Sequence, residues 1–259
     1  LSHHEDAVAI AACQKTLDTQ YYFVHHADHN PALGSTVAHF NHVDLFESIA
    51  KLCAQDLNKP VIFLPTSSND LGAKEFVYPI QQFSTVTAGS PGKFSMTGEV
   101  SLSRIIIESL KVCGGKHYHF GELSVEQIQT IQNDLKQAAI DSKLFVYLGN
   151  VPSLWQSLLA LDAHVYLGSA PTPGYKSSLE ASGAAYPLLT YVPIDKPRYL
   201  HVGVEAQAGQ TWASIDALIS GLKAIMDNHE RLSQESRLFY LSNCSSDSFK
   251  QKTVALCDD

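Results

Sequence analysis

The chain has 259 residues, 45% of them apolar and 17% charged, and its 18 Lys+Arg against 26 Asp+Glu leave a formal charge of −8 at pH 7. That composition, with a mean hydropathy of −0.05, is that of a packed soluble globule and excludes a disordered chain. The acidic balance and pI near 5.8 exclude a dedicated nucleic-acid binder, which needs a Lys/Arg excess to displace counterions, but leave room for a single bound nucleotide.

In chain order, Glu5 to Cys13 reads as a short helix and Tyr21 to Val24 as a strand that runs into His25-His26-Ala27-Asp28-His29-Asn30. Residues 45–56 carry Leu45, Ile49, Leu52 and Cys53 on one helical face. Val61 to Leu64 is a strand, and the polar, turn-rich stretch after Pro65 predicts a linker over about residues 65–80. A cleaner series follows. Strands are expected at 83–88, 118–120, 144–148, 165–167 and 188–191, alternating with helices at 102–112, 125–139, 154–161 and 176–184. Two amphipathic helices, 212–226 and 229–242, close the chain. Five strands with intervening helices make one doubly wound α/β domain, a Rossmann-like parallel sheet. The first 65 residues hold only two or three strands, part of a second such domain. Because the chain opens on Leu1 and not on Met, the simplest expectation is the C-terminal part of a longer protein. The boundaries expected are 1–70, 80–230 for the complete domain, and 231–259 for a closing helix and tail.

Five cysteines (Cys13, Cys53, Cys113, Cys244, Cys257) show no C-x-x-C pair and fit free thiols in a reducing compartment. No apolar run of about 18 residues exists to span a bilayer, and the start lacks a basic-then-apolar signal. A cytoplasmic location is therefore expected.

Ligands of open parallel sheets bind at the carboxyl edge of the strands, so three loops there are candidates. Gly89-Ser90-Pro91-Gly92-Lys93 joins two glycines, which allow close backbone approach, to a lysine that can neutralise phosphate. It is neither of the common glycine-rich phosphate motifs, and on its own is equally an ordinary turn. The loop Gly168 to Gly174 leads into a helix whose first turn holds Lys176, Ser177 and Ser178, and a helix start exposes N–H groups to an anion. Glu180, one turn in, is placed to accept from a ribose diol, or simply to complement the helix dipole. In Gly149-Asn150-Val151-Pro152-Ser153 the backbone can read a base edge, or Ser153 can be a plain N-cap.

Seven of the 12 histidines (His3, His4, His25, His26, His29, His39, His42) lie in the first 42 residues, where chance scatter puts about two. His26-Ala27-Asp28-His29 imitates part of the H-x-H-x-D-H zinc signature, but the first histidine of that signature falls on Val24, so a zinc hydrolase is disfavoured and no metal is expected. An imidazole beside Asp28 is better suited to be a general base near neutral pH. His3, His4, His39 and His42 are expected to be structural or acceptor-facing.

Val165-Tyr166-Leu167-Gly168-Ser169, then Ser177-Ser178-Leu179-Glu180-Ala181, then Gly183 to Thr190, resembles the donor-binding segment of GT-B glycosyltransferases. Phe83 to Lys93 and Phe145 to Pro152 resemble the preceding elements of that family in the expected order. The likeness is greatest to the O-GlcNAc transferase and HMW-type protein glucosyltransferase branch and to bacterial relatives that make surface polysaccharides. The resemblance implies transfer of a sugar from a nucleotide-sugar donor, most simply UDP-linked, to a glycan or protein acceptor, with no further cofactor. It implies that Gly92 and Lys93 meet the donor diphosphate, that Gly174, Lys176, Ser177 and Ser178 cradle it, that Glu180 holds the ribose, and that Val151 to Ser153 flank the base. One of His25, His26 or His29, with Asp28 beside them, would face the acceptor. Three places depart from the pattern, one of them Ala185-Tyr186-Pro187, which stands where A-G-x-P is usual. Tyr175 stands where the family carries glycine, which sets a bulky residue on the backbone path over the phosphates. Thr172 stands where retaining members carry an acidic residue, which leans towards inversion. A GT-B-fold sugar-nucleotide epimerase and a non-catalytic nucleotide-binding module are the alternatives.

Overall fold

A computed structural model of the chain describes residues 22–25, 39–42, 61–62, 67–172, 174–192 and 209–258. Strands β1 (Tyr22–His25), β2 (His39–His42) and β3 (Val61–Ile62) form a parallel sheet in that order. β2 has no counterpart in the sequence reading, because His39, Asn41 and His42 leave it no apolar run. The helices expected over 5–13 and 45–56, and the residues His26, Asp28 and His29, lie outside the described residues.

A second sheet holds β4 (Phe83–Ala88), β5 (Gly114–Phe120), β6 (Phe145–Gly149), β7 (Val165–Leu167), β8 (Leu188–Tyr191) and β9 (Gly209–Trp212). Its order is β6-β5-β4-β7-β8-β9, and every pairing is parallel. The chain builds outward from β4 through β5 to β6, then returns to the other side of β4 for β7. The direction of winding therefore reverses between β4 and β7, which is where a doubly wound sheet opens a crevice. Six strands replace the five expected. Gly209–Trp212 is a strand that the sequence reading did not assign, and Trp212, where it began a helix, is the last residue of that strand.

Among the described residues seven helices accompany this sheet: α1 (Leu102–Cys113), α2 (Val125–Gln137), α3 (Leu154–Ala160), α4 (Tyr175–Gly183), α5 (Ile215–Asp227), α6 (His229–Asn243) and α7 (Ser246–Asp258). α1 starts where Ser101 accepts from Arg104 N and ends at Gly114, whose φ of 75° closes the helix. Its Leu102, Ile105, Ile106 and Leu110 are buried, Ile105 and Ile106 each contributing about 2 kcal/mol. α2 opens with a full capping box, Ser124 and Gln127 each satisfying the other's backbone. On one face of the sheet, Val86, Phe120, Tyr166 and Leu188 pack with Trp155, Leu179 and Tyr240 of α3, α4 and α6. On the other, Phe83, Val165 and Leu189 meet α1 and α5, while Phe145 packs with α1 and α2.

Much of the predicted linker is docked. Trp155 Nε1 donates to Gly72 O at 2.9 Å, Lys74 N to Ala184 O at 3.0 Å, and Lys74 Nζ to Leu161 O at 2.7 Å. Arg237 joins Gly183 O and the Asp70 carboxylate at 2.6 Å each, and this contact holds the Asp70 carboxyl below its usual range. No described helix is long and apolar enough to cross a membrane.

Candidate active site

The loops that leave β4 and β7 converge at the switch point. Phe94 and Pro171 form an antiparallel bridge, Ser95 N donates to Ala170 O at 3.3 Å, and Thr172 N donates to Lys93 O at 3.4 Å. Pro91–Lys93 make one 3-10 turn that sets Lys93 on the β7 side. Its Nζ lies 3.2 Å from the point a Cβ on Gly174 would occupy, with Ser177 Oγ and Ser169 Oγ at 2.8 and 3.2 Å. A larger residue at 174 would fill that space. The two weak sequence signals, 81 positions apart, thus become one site.

Gly174 is the N-cap of α4 and offers no side-chain cap. Ser177 and Ser178 do not supply one either, since their hydroxyls donate back to Gly174 O at 3.2 and 2.9 Å. Ser178 N is itself bonded to Gly174 O at 3.4 Å and Ser178 is fully buried, so of the two serines only Ser177 has its N–H among the first-turn donors that an anion can meet. Beside the lysine, that end of α4 presents two positive features to one anion. Lys176 is exposed, with Nζ 3.9 Å from Glu180 Oε1. Gly92 is exposed at the tip of the turn, with nothing within 4 Å of its would-be Cβ.

Glu180 faces the loop after β6. Its Oε2 accepts from Trp155 N at 3.1 Å, which ties α4 to the first turn of α3. Burial raises its pKa, an effect that Lys176 and the Trp155 N–H oppose. Ser153 is the N-cap of α3, its hydroxyl accepting from Gln156 N at 3.3 Å, while Val151 packs against the core. The rim itself is stitched by backbone. Gly89 N donates to Phe120 O at 3.1 Å and Gly121 N to Gly149 O at 2.9 Å. Gly121 has φ 105°, and a Cβ on it would overlap Gly89 O.

Tyr175 does not crowd the phosphate path. Its ring packs with the core beneath α4, and its hydroxyl donates to the Cys244 sulfur between α6 and α7. Thr172 is exposed beside the switch point. At the first sheet, β1 and β2 pair in register with His25 opposite His42, so two histidines stand side by side at its carboxyl edge. The sequence reading expected His42 to be structural or acceptor-facing and did not pair it with His25. It also passed over His117 and His119 on β5. Both are fully buried and bonded to Thr85 and Thr87 of β4, directly behind the Lys93 loop. The signal available was the H-x-H alternation in a strand that follows a T-x-T strand.

No family model matches the chain, and no curated protein matches it in sequence. Solved structures do. S. aureus TarM superposes with a TM-score of 0.65 over 93% of this chain at 13% identity. A glycosyltransferase from Rickettsia africae gives 0.66 over 96% at 10% identity, and Anabaena HepE in complex with UDP gives 0.61 over 86% at 9%. The chain has a GT-B glycosyltransferase fold. It spans about half the length of TarM (51%), 72% of the Rickettsia protein and 64% of HepE. Within this GT-B fold, the stretch that resembles the family's donor-binding segment is β7, α4 and β8, and the lysine loop is the turn after β4.

Proposed function

We propose that this chain binds a nucleotide-sugar, UDP-linked, and belongs to an enzyme that transfers the sugar to a glycan or protein acceptor. The observation that carries the reading is the meeting of Lys93 Nζ with the Gly174 end of α4 at the reversal of strand order. TarM and HepE are both described with UDP, which supports the choice of base.

In the reaction, an acceptor oxygen or amide nitrogen attacks the anomeric carbon and the bond from that carbon to the diphosphate breaks. The electron pair passes to the diphosphate oxygen, where Lys93 and the N–H groups of α4 stabilise it without rearranging. Gly92 lets the turn approach the phosphates. Glu180 keeps one carboxylate oxygen on Trp155 N and turns the other towards the ribose, and Val151 to Ser153 flank the base. His25, His26 or His29, with Asp28 as orienting carboxylate, takes the acceptor's proton. The buried thiols Cys113 and Cys244 accord with a reducing, cytoplasmic setting.

Calorimetric titration of the chain with UDP, UDP-sugars and GDP-sugars tests the proposal. Saturable binding of the uridine ligands in preference to GDP-sugars is expected. Absence of binding with all of them would overturn the proposal, and preferential GDP-sugar binding would reject the base assignment.

A further inference from the structure

Thr85 and Thr87 of β4 stand in register with His117 and His119 of β5, and their side chains form one buried chain of hydrogen bonds. Thr85 Oγ1 is 2.8 Å from His117 Nδ1, His117 Nε2 is 3.0 Å from Thr87 Oγ1, and Thr87 Oγ1 is 2.8 Å from His119 Nδ1. Burial pushes His117 down to about 3 and His119 to about 4, so both rings are neutral near pH 7. A neutral imidazole has one N–H, and each threonine has one O–H. Running from Thr85 to His119, Thr85 donates to His117 Nδ1, His117 Nε2–H donates to Thr87, and Thr87 donates to His119 Nδ1 at 2.8 Å in preference to Tyr118 O at 3.5 Å. The remaining proton then sits on His119 Nε2. Run the other way, the chain leaves His119 Nε2 as a bare acceptor in the core and turns the Thr85 proton away from the network.

His119 Nε2 is buried without a hydrogen-bond partner. Two rings adjoin it. Tyr147 lies nearly parallel at 6.3 Å and 19°, while Phe94 stands edge-to-face at 5.1 Å and 69°. Of the two, only Phe94 is tilted steeply enough to the imidazole plane for an in-plane N–H to meet its face. Phe94 follows Lys93 directly. Its ring also lies against Gly89, with Cε2 2.9 Å from the position of a Cβ there. Both ends of the Gly89–Phe94 loop therefore rest on Phe94, and Phe94 rests on His119.

We propose that His119 is a positioning residue for the donor-phosphate loop: oriented by Thr87, its ring seats Phe94 and thereby holds Lys93 against the start of α4. This rests on the reading of Lys93 as a diphosphate ligand. The role is indirect, since the imidazole lies beneath the loop.

The test is UDP affinity by calorimetry on the full chain, at a temperature well below unfolding, for wild type, Lys93→Ala, Thr87→Val, Thr87→Ser and His119→Asn. Thr87→Val removes the bond that orients the ring while preserving shape, and about a tenfold loss of affinity is expected. Thr87→Ser restores the hydroxyl and should recover wild-type affinity. His119→Asn keeps an acceptor for Thr87 but removes the seat, and should lose at least as much as Thr87→Val. In the wild type, the imidazole nitrogen resonances of His119 should report an Nε2–H tautomer and shift when UDP binds. A wild type that binds UDP and weakens in Lys93→Ala, yet keeps full affinity in Thr87→Val and His119→Asn, overturns this inference alone. A wild type that does not bind UDP overturns the functional reading and this inference with it.

Discussion

Replacing Gly121 by alanine tests how firmly the rim of the second sheet is held. The residue sits at φ 105°, and the added Cβ would overlap Gly89 O. That oxygen belongs to backbone and cannot swing aside, because Gly89 N is bonded to Phe120 O. Relief requires the whole Lys93 loop to move. The positive φ costs about 1–2 kcal/mol and the forced displacement about 1–3 kcal/mol more, for a total near 3 kcal/mol. Gly114 is the internal control, with φ 75° and nothing within 4 Å of its would-be Cβ. Its alanine variant should lose about 1 kcal/mol. For a chain of this size each kcal/mol lowers Tm by about 2–4 °C, so thermal unfolding should show a drop of about 9 °C for Gly121→Ala against about 3 °C for Gly114→Ala. Equal drops in the two variants would refute the close approach of the two loops.

Tyr175→Phe should leave nucleotide binding unchanged, and Tyr175→Gly should lower Tm without tightening nucleotide binding, because the ring belongs to the core and not to the phosphate path; tighter binding by the glycine variant would contradict this. His117, His119 and His164 have pKa values pushed down by burial to about 3, 4 and 4, so the unfolded chain takes up protons first as acid is added. Their stabilisation is complete above pH 6.5 and is lost as the pH falls, towards about 4 for His119 and His164 and about 3 for His117. Urea midpoints should follow that course, with a shallower slope in His164→Asn, and a parallel slope in that variant would count against it. The Arg237 contact depresses Asp70, so Asp70→Asn should cost about 1 kcal/mol at pH 7, discounted for partial exposure, and nothing once the pH is well below 3.8.

The alternation of apolar runs and helical faces from Phe83 to Tyr191 made the doubly wound sheet legible in the sequence, because each of those elements carries its own period and α1, α2 and α3 each start at a serine cap. β9 was not legible. Gly209, Gln210 and Thr211 have no apolar run, and only Trp212 is buried, so the strand exists through its pairing with β8. α7 was hidden for a related reason, since Ser246, Asp247 and Ser248 read as a polar tail until Ser245 is seen pairing with Ser68. The lysine loop and the α4 start were each visible as a weak motif. What joined them was strand order, which no local pattern encodes. His117 and His119 were missed because a buried imidazole needs a partner, and their partners stand about thirty residues upstream on β4. His42 gained meaning in the same way, through the register of β1 with β2.

The central claim is that Lys93 and the start of α4 together hold a nucleotide diphosphate, and UDP titration of wild type against Lys93→Ala at two salt concentrations tests it most directly. A charge-assisted contact of this kind contributes about 1.5–3 kcal/mol, so Lys93→Ala should bind UDP about 10- to 100-fold more weakly. Its affinity should also vary less with salt than that of the wild type. UDP binding that is equally tight and equally salt-dependent in both proteins would contradict the account.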